Sequence, residues 1–335
     1  MIRTFQASAF VLIAALCGPH QNGPTLLDVA KDRLLVRALY SHPDRIVSHV
    51  APSGAVGANA KYEQGSASRW FIEVQRYGAD LVQAGCASNH PDEVEQGWKI
   101  LGWGLGKQGS DGGFPGTGDP FHSTSFFVEG LARALILQNE ARNEPANALE
   151  LAQKVKRAAH FLLAPEVRDR GVEHNRPYTH RQWLLAAALG ETAKLTRDRE
   201  LAQEAASFAR EGIDCQRPDG IDPEKGGGDV NYQALGLLEA GRYALTLANS
   251  DPLRSPVLDA IRKGLDWELT KVEGAGDVDV DGSTRTQHEH GRGGELKTVD
   301  YKIIVQALTM GSDLTGDTKY KSAAERICRG RGWVE

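Results

Sequence analysis

The alternation of two kinds of helical segment constrains the fold of this 335-residue chain more than any other feature of its sequence. One kind is apolar on nearly all sides, as in STSFFVEGLARALILQ and HRQWLLAAALGETAKL. The other kind is amphipathic with one charged face, as in NALELAQKVKRAAHFLL and DRELAQEAASFAREGI. A helix that is apolar all round must be covered on all sides, whereas an amphipathic helix can face water. The alternation therefore predicts an inner ring of buried helices surrounded by an outer ring.

This pattern repeats at a period of roughly 50 to 70 residues, and strand signals are scarce. We predict an all-α protein, an (α/α) toroid of about five or six helical hairpins with long glycine-rich loops at one end. Residues 25–42 are expected to add a further inner or outer helix. The alternative is an open helical solenoid, whose repeats are usually shorter. The inner helices are expected at residues 66–83, 123–138, 180–195, 230–248 and 299–314.

Residues 1–18 have the features of a secretory signal peptide. Arg3 supplies a short positive region, and residues 7–17 form an apolar stretch that is too short to span a bilayer. Small residues precede Gly18, which is the predicted cleavage position. We therefore expect a secreted or periplasmic protein in which residues 19–335 form a single catalytic domain. A buried first helix is the alternative.

The overall charge argues against two classes of partner. The formal net charge is −5 and the isoelectric point is near 6.1. A general binder of nucleic acid or of anionic membranes needs a broad positive field, which this composition does not supply. Three cysteines remain after the predicted cleavage (Cys86, Cys215 and Cys328), and no pair of them has metal-ligand spacing.

The loops of the predicted toroid are asymmetric. Those that lead from an outer helix into the next inner helix are long and mostly rich in glycine, whereas the returning connections are short. The long loops are residues 106–122, 164–180, 215–229 and 270–298. Long ordered loops that cluster at one end of a helical scaffold are where functional sites are normally built. We therefore expect a funnel at the N-terminal ends of the inner helices.

Residues able to transfer protons or bind anions gather at these helix entrances. We predict His122, His180 and Tyr232 as catalytic, because histidine and tyrosine exchange protons and lie here at three successive entrances. In a toroid the entrances converge, so residues distant in sequence become neighbours. The candidate substrate-binding residues are Asn175, Arg176, Arg181, Trp183, Lys225, Asn231, His288, His290, Arg292 and Tyr301.

One loop has a partial metal-binding pattern. Residues 277–282, DVDVDG, copy the first half of a calcium loop, but His288 takes the place of the bidentate acid at the twelfth position. Calcium at residues 277–289 is therefore a candidate beside a solvated acidic loop. His288 and His290 with a third histidine of the funnel would also suit zinc, although their spacing does not distinguish zinc from proton transfer. No cofactor is firmly predicted.

The entrance of the third inner helix resembles a known family. The segment THRQWLLAAAL resembles the Asn-His-x-x-Trp entrance of the alginate-lyase-type (α/α) toroids, a family of polysaccharide lyases, and His180 and Trp183 match that pattern. The sequence departs from it at Thr179, which stands in place of the asparagine. Asn175 or Asn231 would have to supply the missing amide.

The next inner entrance, NYQALGLL, is similar to the Asn-Tyr entrance of the same family. The resemblance implies that Tyr232 is the catalytic tyrosine, and Lys225 stands where the family carries a basic residue. It implies β-elimination on a polysaccharide that contains uronic acid. In that reaction a cation or amide neutralises the substrate carboxylate, a base removes the C5 proton, and an acid protonates the leaving O4.

On this interpretation Tyr232 is base, acid or both, and His180 is the partner base or the group that neutralises the carboxylate. Local positive charge would come from Arg181, Lys225 or Arg292. The expected partner is an acidic polysaccharide or oligosaccharide bound by a monomer. Two alternatives remain. One is a non-catalytic secreted carbohydrate-binding protein. The other is a glycoside hydrolase, which needs two carboxyl groups separated by roughly 5 to 9.5 Å. Its candidates are Asp111, Asp119, Glu224, Asp229 and Asp300.

Overall fold

The computed structural model describes residues 23–41, 50–291 and 294–334. Within these ranges the chain forms α-helices, a 3₁₀ helix at Ile72–Arg76 and isolated β-bridges, with no β-strand. The α-helices are α1 (Leu26–Ala30), α2 (Arg33–Ser41), α3 (Gly57–Glu63), α4 (Tyr77–Ser88), α5 (Pro91–Leu105), α6 (Pro120–Glu140), α7 (Ala148–Leu163), α8 (Pro165–Asn175), α9 (Thr179–Thr196), α10 (Arg199–Cys215), α11 (Val230–Ala244), α12 (Arg254–Leu269), α13 (Tyr301–Thr315) and α14 (Thr318–Gly330).

Six of these helices form a closed inner ring. Helices α4, α6, α9, α11 and α13 each contact the next, and α2 closes the ring between α13 and α4. Helices α5, α7, α10, α12 and α14 pack outside, each against the inner helix that precedes it in the chain. The predicted all-α (α/α) toroid is confirmed, and α2 supplies the further inner helix expected within residues 25–42.

The burial of paired helices follows their sequence patterns. Inner helix α9 is buried at every position from Thr179 to Ala193. Its outer partner α10 buries a single stripe and exposes its charged face. The two approach closely at Gly212, where an added Cβ would lie 2.8 Å from the ring of Trp183. Trp183, predicted to bind substrate, is fully buried there, packs against α10 and does not line the cavity described below.

Two boundaries differ from the prediction. The first inner helix begins only at Tyr77, because the side chain of Gln75 bonds the carbonyl groups of Gly54 and Ile100 and holds the preceding residues in a 3₁₀ turn. The expected loop at 164–180 instead contains α8, which begins with Pro165 at its first helical position, where proline is favoured. The sequence of this helix is polar and was therefore assigned to a loop.

Aspartate caps fix the entrances of three inner helices. Asp119, Asp229 and Asp300 accept hydrogen bonds from backbone N–H groups in the first turns of α6, α11 and α13. These caps set the direction in which the first-turn side chains project from the ring. No helix in the described part of the chain is both long and apolar enough to cross a membrane. The signal peptide predicted at residues 1–18 lies outside the described residues.

Candidate active site

A cavity of about 900 Å³ lies at the N-terminal ends of the inner helices. His122 of α6, His180 of α9 and Tyr232 of α11 all line it. The ring centroids of His122 and His180 are 6.1 Å apart, and those of His180 and Tyr232 are 4.8 Å apart. The structure therefore brings the three predicted catalytic side chains into one cavity, as the converging entrances of a toroid require.

His180 is held from behind by a buried carboxylate. Its Nδ1 lies 2.7 Å from Oε1 of Glu224, and its backbone N–H donates to the same oxygen at 3.1 Å. The other carboxylate oxygen accepts a hydrogen bond from Arg285 at 3.0 Å. With Glu224 as acceptor, Nδ1 carries the proton and Nε2 keeps its lone pair. Burial lowers the pKa of His180, although Glu224 opposes this, so the imidazole is neutral at pH 7 and suited to act as a base.

Two cations contact Tyr232. Lys297 donates a hydrogen bond from Nζ to the phenol oxygen at 2.7 Å, and the guanidinium carbon of Arg285 lies 3.5 Å from the centroid of the ring. Burial opposes the charge of Arg285, but its neighbours Tyr232, Glu224 and Glu289 raise its pKa and keep it protonated. Positive charge fixed at this position stabilises negative charge that develops on the phenol oxygen.

Glu289 ties these cations together. It accepts hydrogen bonds from Lys225 at 2.5 Å, from Lys297 at 2.5 Å and from Arg285 at 3.1 Å. Partial burial opposes the charge, but the two lysines and Arg285 lower the pKa of Glu289 to about 2. Glu289 and Lys297 are residues that sequence reasoning missed. They lie in a loop without periodicity, and only its folded path brings them to Tyr232.

Three further predicted residues line the cavity. Arg181 is 7% exposed and donates to the amide oxygen of Asn175 at 2.8 Å, while its guanidinium lies over the ring of Tyr178. Asn231 donates to the carbonyl of Thr298 and accepts from a backbone N–H, so its amide holds the loop before α13. His290 is exposed and also lines the cavity.

Other residues predicted to bind substrate do not line the cavity. Asn175 is 1% exposed and lies behind Arg181 instead of facing the cavity. Arg176 projects into solvent and pairs with Glu173 at 3.2 Å. Both follow from α8, which continues through Asn175 and directs these side chains away from the entrance of α9.

Three more residues predicted to bind substrate also lie outside the cavity, namely Lys225, His288 and Tyr301. Lys225 bonds the far side of Glu289, and His288 is exposed outside the cavity. Tyr301 turns outward, with Arg331 over its ring, because it is the first residue of α13 and lies beside the C-terminal segment. Arg292 lies outside the described residues.

The carboxyl groups proposed for a hydrolase separate into two sets. Asp119 and Asp300 line the cavity, and Glu73, which the sequence analysis did not single out, joins them. Glu224 and Asp229 are fully buried beneath it, and Asp111 does not line it. Asp229 accepts hydrogen bonds from the backbone of Arg285 and Thr286 and thereby anchors the 270–298 loop to α11.

The structure does not favour the calcium and zinc sites considered from the sequence. Asp277 pairs with Arg331 and Asp279 with Lys271, so two of the expected calcium ligands already bind cationic side chains. His288 and His290 do not share the cavity, which removes the proposed zinc set. In the described residues, three potential ligands converge within 4.8 Å elsewhere, at His160, Asp198 and Glu200. Lys156 already bonds Asp198 there.

Comparison with known proteins shows the fold. No protein-family model and no curated protein matches the chain. A family 88 glycosyl hydrolase from Bacteroides vulgatus matches with a TM-score of 0.55 at 8% identity, over 91% of this chain and 85% of that one. An α-1,6-mannanase from a Salegentibacter species gives 0.49 at 11%, over 87% and 98%. An unsaturated glucuronyl hydrolase from Streptococcus agalactiae gives 0.43 at 11%, over 98% and 98%.

The sequence resemblance was to a lyase family, whereas the structure that matches with a TM-score above 0.5 is a glycosyl hydrolase. The resemblance is therefore confirmed only for the (α/α) toroid. This chain shares that fold with a family 88 glycosyl hydrolase.

Proposed function

We propose that this protein cleaves an acidic saccharide in the cavity by β-elimination, with His180 and Tyr232 as the proton-transfer pair. The observation that carries the proposal is the arrangement of His180. Glu224 orients its imidazole through Nδ1, burial keeps it neutral, and its ring centroid lies 4.8 Å from that of Tyr232. A neutral, oriented base beside a hydroxyl that contacts a cation suits removal of a proton from carbon and transfer of a proton to oxygen.

The roles follow from the hydrogen bonds of each group. His180 accepts the C5 proton at Nε2, and the C4–O4 bond breaks as the C4–C5 double bond forms. Tyr232 transfers its hydroxyl proton to the departing O4, because the phenol oxygen already accepts a hydrogen bond from Lys297. The proton held by His180 then returns to Tyr232 through solvent. Both residues regain their starting protonation states.

The charge of the cavity wall supports an acidic substrate. Burial lowers the pKa of Arg181, and its neighbours Asp119, Tyr178 and Glu224 offset only part of this effect. Its hydrogen-bond partner is the neutral amide of Asn175. A substrate carboxylate in the cavity would neutralise this guanidinium and accept bidentate hydrogen bonds from it. Stabilising the carboxylate in this way also acidifies the adjacent C5 proton.

The test is incubation of the purified protein with a panel of uronate-containing and neutral polysaccharides. We expect uronate substrates to give products that absorb in the ultraviolet through the new C4–C5 double bond. Each cleavage should produce one such double bond and one new reducing end. Reducing ends without that absorbance would replace β-elimination by hydrolysis. Binding without either signal would support a carbohydrate-binding protein without catalytic activity.

Hydrolysis is the second candidate, and two observations favour it. Glu73, Asp119 and Asp300 line the same cavity, and hydrolysis requires a pair of carboxyl groups. The fold is also shared with a family 88 glycosyl hydrolase. If the panel shows saturated products, Asp119→Asn and Glu73→Gln are the variants that identify the pair. Each is then expected to lower the rate by about 10²- to 10⁴-fold.

A further inference from the structure

We propose that Lys297 is a positioning residue for the reaction, presented to the Tyr232 oxygen by a hairpin built from the 270–298 loop. The inference rests on the proposed function, because Lys297 acts through Tyr232. It adds a residue outside the Tyr–His pair and gives the 270–298 loop a chemical role.

The backbone around Lys297 is held in register. Residues 287–291 and 294–297 pair as two arms, with hydrogen bonds from Gln287 N to Lys297 O at 2.7 Å and from Lys297 N to Glu289 O at 2.9 Å. Gly291 N donates to Glu295 O at 2.7 Å farther along the same arms. Because both backbone groups of Lys297 are bonded, its side chain leaves a fixed point beside α11.

Glu289 holds the Lys297 ammonium in place from the opposite arm. The two side chains meet at 2.5 Å, while the same ammonium reaches Tyr232 at 2.7 Å. Lys225 and Arg285 also donate hydrogen bonds to the Glu289 carboxylate. An ammonium group has three donors and no acceptor, so it can serve Glu289 and Tyr232 together. The hydrogen bond from Lys297 to Tyr232 is therefore part of a network in which Glu289 fixes the position of the ammonium group.

Other charged or titratable groups near Tyr232 also influence the charge on its phenol oxygen. Arg285 lies over its ring, and His180 of α9 lies beside it. Asp229 at the start of α11 accepts the backbone N–H of Tyr232, and Asp300 at the start of α13 lines the same cavity. Among these groups, Lys297 is the cation that donates directly to the phenol oxygen.

The chemical role follows from proton balance. When Tyr232 transfers its proton to the departing O4, the O–H bond breaks and negative charge appears on the phenol oxygen. The Lys297 ammonium stabilises that charge through a hydrogen bond that exists before the reaction begins. Lys297 transfers no proton itself. Return of the proton from His180 then restores the phenol.

The kinetic test compares three variants on the uronate substrate that is turned over. Lys297→Met is expected to lower kcat by about 10²- to 10³-fold with KM changed by less than about 3-fold, because the lost contact matters in the transition state. Lys297→Arg should recover at least about tenfold of that loss. Lys225→Met is the control, because it removes a cation from the same carboxylate without contact to Tyr232. Equal losses in Lys297→Met and Lys225→Met, or no loss in either, would overturn the proposal.

A second measurement needs no substrate. With tyrosine labelled at Cζ by ¹³C, and Tyr232→Phe to assign the signal, the Tyr232 resonance is compared between variants at one pH. Loss of the hydrogen bond from Lys297 should move this resonance in Lys297→Met, and Lys225→Met should leave it in place. An unchanged resonance in Lys297→Met would overturn the positioning role. A moved resonance with no unsaturated product from any uronate would instead overturn the β-elimination.

Discussion

Two clusters of ionisable side chains in the described part of the chain can be compared, one around the cavity at the mouth of the ring and one among the inner helices below it. We call these the cavity cluster and the core cluster. The cavity cluster comprises His180, Glu224, Tyr232, Arg285, Glu289 and Lys297. The core cluster comprises Asp80, Glu129, Arg133, Glu239 and Arg242.

The core cluster joins inner helices through buried hydrogen bonds and ion pairs. Arg133 bonds Glu129 at 2.7 Å and Asp80 at 3.2 Å, and Arg242 bonds both Glu129 and Glu239. The pair of Glu129 and Arg242 joins α6 to α11, which are not neighbours in the ring, so it spans the interior. These residues do not line the cavity. Their hydrogen bonds link α4, α6 and α11.

The cavity cluster differs because two of its side chains still have a hydrogen-bond donor or acceptor available for a ligand. His180 keeps the lone pair of Nε2, and Tyr232 keeps its proton for donation. Both side chains line the cavity. Burial of charge therefore does not by itself identify an active site. The distinguishing feature is an oriented group whose remaining donor or acceptor faces a space that a ligand can enter.

Removing the Tyr232 hydroxyl should have the largest effect. Tyr232→Phe is expected to lower the rate of unsaturated product formation by about 10³- to 10⁴-fold, because no other group protonates O4. The melting temperature should change little. Tyr301→Phe is the matched control, since its hydroxyl lies outside the cavity beside Asp277. Substantial turnover by Tyr232→Phe would remove this tyrosine from the mechanism.

Breaking the core cluster should affect folding. Arg133→Met removes one cation from buried Glu129 and Asp80, which keep only Arg242 and Lys302 respectively, and is expected to destabilise the protein by about 3–5 kcal/mol. The exposed pair of Arg262 and Asp259, at 2.7 Å, supplies the control, and Arg262→Met should cost less than about 1 kcal/mol. Denaturant unfolding measures both. A similar small loss in the two variants would contradict the structural role of the core cluster.

Neutralising Glu224 tests the cavity cluster through pH. Glu224→Gln keeps a hydrogen-bond acceptor for His180 but removes the charge, and should lower kcat by about 10²-fold. Activity needs neutral His180, so it falls as pH drops through the pKa of His180. Glu224 raises that pKa against the effect of burial. The acidic limb of the kcat/KM profile should therefore move to lower pH in Glu224→Gln. A limb that does not move would exclude His180 as the titrating base.

The core cluster should also give the stability of the protein a pH dependence. Burial raises the pKa of Glu239 to about 8, above its ordinary value of 4.5. Its stabilising contribution is complete below pH 4.5 and is lost as pH rises through about 8. The free energy of unfolding should therefore decline over this interval, and Glu239→Gln should flatten the decline. An equally steep decline in that variant would assign the titration to another group.

The toroid and the location of its cavity were predictable because both depend on local pattern. Helices that are apolar all round need cover, and the long loops mark the open end, which brought His122, His180 and Tyr232 together in the prediction. The same patterns could not assign Trp183 or Tyr301. Each lies within a turn or so of a helix entrance, and the face it presents depends on the packing of neighbouring segments against that helix.

The sequence by itself determined the alternation of buried and amphipathic helices, and therefore the ring. Only the tertiary structure decided which groups surround Tyr232. Lys297 lies 65 residues farther along the chain, in a segment without helical periodicity. Its contact depends on Asp229 anchoring the loop and on Glu289 gathering three cations. Such contacts arise from long-range hydrogen bonds and ion pairs, which leave no periodic trace in the order of residues.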